Sequence, residues 1–212
     1  MSRRKTLHSY EYPYHITARS NNKEWFYLDK SLCWSIFCEK LNLASEMFQF
    51  QILAFVLMSN HYHLILKIIP EHKLGSIMNW LQTSISREIN KKAGRINHIF
   101  GGPYKSSLIT KTIYYAHVLK YVYRNPVRAG MCENVQTYPY STLNSKDIKL
   151  NLNDSLNISN LLPKEECDYL NWLNTPLEKD YDEIIRKGLK KSKMKLVDSI
   201  RRKNHILEDS IF

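Results

Sequence analysis

Hydrophobic and polar positions alternate first at Tyr14, Ile16 and Ala18 against His15, Thr17 and Arg19, which predicts a strand ended by Ser20-Asn21-Asn22. From residue 30 to about 46 the apolar positions change period: Cys33, Phe37, Leu41 and Ala44 form one stripe of a helix. Phe50 to Met58 is apolar at nearly every position, the mark of a strand covered on both faces and placed centrally in a sheet. A turn at Ser59-Asn60 leads into a third strand, which opens with His61 and His63 and ends at Pro70. Its alternate positions Tyr62, Leu64, Leu66 and Ile68 make an apolar face that should meet the core.

Leu74, Met78, Leu81 and Ile85 predict a second amphipathic helix running to about Lys92, with Gly94 as its C-cap. The loop RINHIFGGPYKSS follows, then a short fourth strand over Leu108 to Lys111. A helix from about Thr112 should end at Asn125, because Pro126 disfavours helical geometry in the residue before it. Beyond Tyr140 the composition turns to Asn and Ser over 143–160, which reads as a linker, and helices are expected over 163–174 and 177 to about 204. No internal repeat is visible. The pattern gives one domain, residues 1–145, with an appendage over 146–212.

Composition narrows the function. The 212 residues are 43% hydrophobic, enough for a core, and hold no apolar run of the roughly 18 residues a membrane span needs. No apolar run follows the basic N-terminus, so a secretory signal is not expected. Cys33, Cys38, Cys132 and Cys167 lack metal-ligand spacing and read as free thiols of a cytoplasmic protein. A net charge of +11 favours a polyanionic partner, nucleic acid before membrane. Arg3-Arg4-Lys5 could be a phosphate-contacting arm or a solvated terminus, and Arg186, Lys187, Lys190, Lys191, Lys193 and Lys195 a second basic surface or a plain solvated face. Fourteen tyrosines and four tryptophans supply rings that serve the core or stack unpaired bases.

The candidate chemistry begins with His61 and His63. Two residues apart on a strand, they share one face about 7 Å apart, close enough to hold one metal ion, although most such triplets bind nothing. On the helix over 112–125, Tyr121 and Asn125 lie one turn apart on one face, with Tyr114 on nearly the same stripe as an alternative nucleophile. Two imidazoles and an amide oxygen can hold Mg²⁺ or Mn²⁺ with positions left for phosphate oxygens, and a tyrosine can attack phosphorus and store the bond as an ester. Lys67 shares the histidine face and could assist electrostatically. The bland reading of Tyr121 is a core ring with a satisfied hydroxyl.

Four segments carry a resemblance: YHITARSNN, FVLMSNHYHLIL, HIFGGPYKSSL and LKYVYRNPVRAGMCENVQTYPYST, in this order over about residues 10–145. Together they resemble the single-tyrosine transposases of the HUH endonuclease superfamily, and most closely the REP-associated tyrosine transposases. The resemblance implies an α+β, ferredoxin-like antiparallel sheet with packed helices. It implies His61 and His63 as metal ligands completed by Asn125, with Tyr121 as nucleophile and Mg²⁺ or Mn²⁺ as cofactor. Arg19, Lys105 and Arg128 fall in matching segments and are candidates for DNA contacts. The chain departs from the family at Ser59 (usually Pro), at Pro103 (usually Arg) and at Tyr62 (usually a smaller aliphatic residue); none of these removes a catalytic group.

The implied activity is nicking and rejoining of single-stranded DNA at hairpins through a 5′-phosphotyrosine. The alternative is a domesticated DNA or RNA hairpin-binding protein without turnover. Self-association as a homodimer stays open at this level.

Overall fold

In the computed structural model, residues 7–150, 160–177, 179–196 and 207 are described. Four strands form one antiparallel sheet: β1 (Tyr14–Arg19), β2 (Gln51–Leu57), β3 (His61–Lys67) and β4 (Lys105–Leu108), in the order β2-β3-β1-β4. Helix α1 (Lys30–Phe48) joins β1 to β2, and α2 (Leu74–Ala93) joins β3 to β4. This is the split βαβ arrangement of the ferredoxin-like α+β fold. A third helix, α3 (Thr112–Arg128), follows β4, and α4 (Glu166–Asn174) and α5 (Lys179–Gly188) come after it.

The period-two pattern sorts the two sheet faces. Tyr14, Ile16, Tyr62, Leu64 and Leu66 pack with α1 and α2 around an aromatic group of Phe37, Phe55 and Tyr62. The opposite face offers Val56 and Ile65 to α3, whose own apolar positions are covered in turn by Leu173, Leu177 and Ile185. Every residue of α3 from Tyr114 to Pro126 is therefore buried. A helix apolar around most of its circumference is stable only between two layers, here the sheet and the helices after it.

Four expectations are corrected. The strand over Phe50–Met58 is buried on both faces but lies at the sheet's edge; Leu57 N donates to Tyr140 O and Thr142 N to Phe55 O, so a returning segment covers that edge. The fourth strand is Lys105–Leu108 rather than Leu108–Lys111, because pairing with Tyr14–Thr17 fixes its register. Helix α3 runs through Pro126 to Arg128. One lost donor in a last turn is a small penalty, and Ala129 N and Met131 N still close onto Asn125 O and Pro126 O. The last helix stops at Gly188; Leu108 N donates to Ser192 O and Met194 N to Leu108 O, laying 192–194 along the outer edge of β4. Residues 197–204 and Arg3-Arg4-Lys5 lie outside the described residues.

The stretch over 143–160 begins docked rather than free. Asp147 accepts from Trp34 Nε1 at 2.8 Å, Asn42 Nδ2 donates to Asp147 O at 2.7 Å, and Ile148 is buried. No described helix is long and apolar enough to cross a membrane.

Tyr62 carries a testable cost. Its hydroxyl is fully buried and has no hydrogen-bond partner among the described residues. An unpaired buried hydroxyl costs about 1–3 kcal/mol, so Tyr62→Phe should leave stability unchanged or raise it by about 1 kcal/mol in urea denaturation. A loss of that size would mean the hydroxyl is bonded.

Candidate active site

The site lies where β1 ends, β3 begins and β4 begins. In register, Arg19 faces His61, Thr17 faces His63, and Lys105 faces Thr17. His61, His63, Thr17, Arg19 and Lys105 thus share the face of the sheet that α3 covers. Tyr121 reaches this face from α3: its ring stands nearly perpendicular to His63, centroids 5.7 Å apart. The two histidine rings are 5.1 Å apart.

Each imidazole is held by its Nδ1. Asn60 Nδ2 donates to Lys23 O, which leaves Asn60 Oδ1 as an acceptor 2.8 Å from His61 Nδ1. His61 therefore carries its proton on Nδ1 and its lone pair on Nε2. His63 Nδ1 lies 2.9 Å from His15 Nε2, the two rings stacked at 5.1 Å. Both Nε2 atoms stay unbonded among the described residues. Burial pushes the pKa of His61 down to about 4, with Arg19 adding to the effect, and that of His15 down to about 3. Burial, reinforced by His15, His61, Arg128 and Arg19, drives His63 well below its ordinary value. All three are neutral near pH 7, the form in which imidazole ligates a cation.

No cluster of three or more His, Cys, Asp or Glu able to hold a metal occurs among the described residues. A cation here would need a neutral third ligand. Asn125, buried one turn after Tyr121, donates from Nδ2 to Tyr121 O at 2.8 Å, so Oδ1 is its remaining acceptor. The two imidazole Nε2 atoms and Asn125 Oδ1 are the neutral donors that a divalent cation could use here.

Burial raises the Tyr121 phenol above its ordinary pKa; Arg128 and Arg186 oppose this, and Asp182 adds to it. The Arg128 guanidinium sits 5.3 Å from the Tyr121 ring centroid and is held from α5, Nε donating to Asp182 Oδ2 at 3.0 Å. Arg128 is thus placed beside the tyrosine, whereas Arg19 and Lys105 are exposed at the strand ends. Tyr114 lies with its ring under Lys111, whose Nζ is 5.1 Å from the ring centroid. Lys67 shares the histidine face at the far end of β3, opposite Gln51. Arg186, Lys187, Lys190, Lys191, Lys193 and Lys195 are all exposed.

Sequence reading missed His15, Asn60 and Asp182. His15 alternates with a core residue on β1, so its face was visible, but only the pairing of β1 with β3 brings it to His63. Asp182 is more than fifty residues from Arg128 along the chain, and no local pattern joins them.

The family model for IS200-like transposases matches residues 8–125. Among solved structures, a REP-associated tyrosine transposase bound to a REP hairpin superposes with a TM-score of 0.58 at 20% identity, over 67% of this chain and 82% of that one. A protein of Deinococcus radiodurans R1 assigned as a transposase aligns at 13% identity, over 57% of this chain and 95% of that one, with a TM-score of 0.41, too low to carry weight. No curated protein matches the chain.

Protonating the buried histidines on unfolding sets a pH dependence. Their folded pKa values are lowered, so the unfolded chain binds more protons below about pH 6.5, and stability present above that pH is lost as pH falls. His15 and His63, both buried, should each cost about 1 kcal/mol between pH 6.5 and 5.5. Urea midpoints measured without metal at pH 7.5, 6.5 and 5.5 should decline; equal midpoints would contradict the burial of neutral imidazoles.

Proposed function

The chain belongs to the IS200-like transposase family, and from that premise we propose that it nicks and rejoins single-stranded DNA at hairpins, with Tyr121 as nucleophile. The observation that carries this reading is the Tyr121 ring packed against His63, whose partner His61 presents a free Nε2 on the same face. The REP-associated relative whose structure holds a REP hairpin has a like fold, and the net charge of +11 suits a polyanion.

His61 Nε2, His63 Nε2 and Asn125 Oδ1 would hold Mg²⁺ or Mn²⁺, which supplies polarisation of the scissile phosphodiester and screening of its charge. For His63 to offer Nε2, its Nδ1 keeps the proton and donates to His15 Nε2. Tyr121 Oη attacks phosphorus, and the P–O bond to the 3′ oxygen breaks. The phenol loses its proton to solvent, the leaving oxygen gains one, and the products are a 5′-phosphotyrosine and a free 3′-OH. Reverse attack by a 3′-OH rejoins a strand without ATP, because the ester keeps the bond energy.

Burial alone would hold Tyr121 protonated, so a cation must offset it. Arg128, fixed by Asp182, stands where it can stabilise the developing phenolate and the phosphate oxygens. Arg19 and Lys105, exposed at the strand ends, would meet the flanking phosphates.

Labelled single-stranded oligonucleotides carrying hairpins from the chain's own genomic flanks should give a denaturant-resistant adduct with Mn²⁺. The band should vanish with chelator and in Tyr121→Phe, and Arg128→Gln should slow its formation by about 10²-fold. An adduct that survives in Tyr121→Phe would overturn the assignment of the nucleophile. Hairpin binding without adduct in the unaltered protein would favour the binding protein without turnover.

A further inference from the structure

Helix α5 ends at Gly188, and the chain turns back at once. Lys190 N donates to Lys187 O at 3.2 Å and Lys191 N to Gly188 O at 3.0 Å, so the turn is built on the last carbonyls of the helix. A Cβ on Gly188 would meet Lys195 O at 2.8 Å, so glycine lets the returning backbone lie this close. Residues 192–194 then run parallel to β4 along its outer edge. Met194 and Leu196 are buried in the layer that covers α3, and Lys193 and Lys195, which alternate with them, are exposed. In extended chain, at about 3.3 Å per residue, the Cα atoms of these two lysines stand about 7 Å apart.

Arg186, Lys187, Lys190, Lys191, Lys193 and Lys195 are thus gathered on one folded ridge. Its charge is not balanced. Residues 184–196 hold no Asp or Glu. Glu183 pairs with Arg186 and Lys187, and Asp182 is engaged by Arg128. Lys191, Lys193 and Lys195 meet no carboxylate among the described residues. Cations favour a helix C-terminus, which accounts for Arg186 and Lys187 in the last turn of α5 but not for Lys193 and Lys195 on the strap beyond it. Like charges held together repel, so the ridge costs stability until an anion meets it.

The ridge starts beside the tyrosine. Arg186 follows Asp182 by one helical turn, on the same side of α5, and Asp182 holds Arg128 next to the Tyr121 ring. The Arg186 charge reaches Tyr121, where it opposes the effect of burial on the phenol. The strap lies on the edge strand whose first residue, Lys105, shares the histidine face. No aromatic side chain occurs over 186–195. Sites for unpaired strands combine cations with stacking rings, whereas a duplex offers its phosphates to a surface that enters neither groove.

We propose that the ridge over residues 186–195 binds the sugar–phosphate backbone of the duplex stem of the hairpin while the unpaired strand lies at Tyr121. The region matched by the family model ends at residue 125, so this surface belongs to the C-terminal part of the chain beyond that match. The proposal rests on the DNA-hairpin reading given above, but it concerns the backbone of the stem rather than the chemistry.

The test is titration of two labelled DNA probes at a series of salt concentrations: a hairpin with a stem of about one helical turn, about 10 base pairs, and a thymine loop, and an unpaired thymine oligonucleotide of equal length. Three proteins are compared: the full chain, Lys191→Gln/Lys193→Gln/Lys195→Gln, and Lys73→Gln/Lys91→Gln/Lys92→Gln, an equal loss of charge at α2 on the other side of the sheet. Each lost phosphate contact lowers the slope of log K against log salt by about 0.9, so the ridge variant should lose about 2 to 3 of the hairpin slope and bind the hairpin at least about tenfold more weakly at about 0.1 M salt. Its slope for the unpaired probe should not change, and the α2 variant should keep both slopes. Arginine at the same three ridge positions should restore the hairpin slope, which a merely structural role of the lysines would not predict. The glutamine ridge variant should melt at the same temperature as the unaltered protein or above it. An unchanged hairpin slope in the ridge variant, an equal loss on the unpaired probe, or an equal loss in the α2 variant would overturn the proposal. Tighter binding of a matched RNA hairpin, weakened by the same variant, would overturn the assignment to DNA. Absence of the covalent adduct in the unaltered protein, with the ridge-dependent hairpin slope intact, would remove the nicking reading and leave the ridge standing.

Discussion

The burial of α3 against the outward face of the sheet is the constraint on which the rest depends. It fixes the Tyr121 ring at right angles to His63, and it shuts water away from imidazoles that would otherwise titrate near neutral pH. Once buried, those rings must stay neutral and must place their polar atoms. Asn60 answers for His61 and His15 for His63, each through Nδ1. The same packing that stabilises the fold thus orients two potential ligands and, through Asn60, sets the tautomer of His61.

The segments after α3 complete this layer. Leu173, Leu177, Ile185 and Met194 cover the side of α3 turned away from the sheet, and Asp182 holds Arg128 beside Tyr121. The chain also covers both sheet edges with its own backbone, residues 140–142 along β2 and 192–194 along β4. Unpaired edges invite pairing with other chains, and these covers restrict it.

Local patterns carried much of this into the sequence. Alternation at Tyr62, Leu64 and Leu66 identified the core face of β3 and so the face of the histidines. The helical stripe placed Tyr121 and Asn125 one turn apart. What the sequence hid was set by long-range pairing. His15 gained its role only from the register of β1 against β3, and the place of β2 at an edge follows from strand order, which hydrophobicity does not encode. The C-terminal strand-like cover at Ser192–Met194 was read as helix because basic residues mask its alternation of exposed Lys193 and Lys195 with buried Met194 and Leu196. The roles proposed for Tyr121, His61, His63 and Asn125 rest on the family resemblance together with this geometry.

The central claim is that His61 and His63 form a single divalent-cation site next to Tyr121. Electron paramagnetic resonance titration of the metal-free protein with Mn²⁺ tests it most directly. The account predicts one bound Mn²⁺ per chain, lost in His61→Ala and in His63→Ala and kept in Tyr121→Phe. Full Mn²⁺ binding in both histidine variants, or none in the unaltered protein, would contradict it.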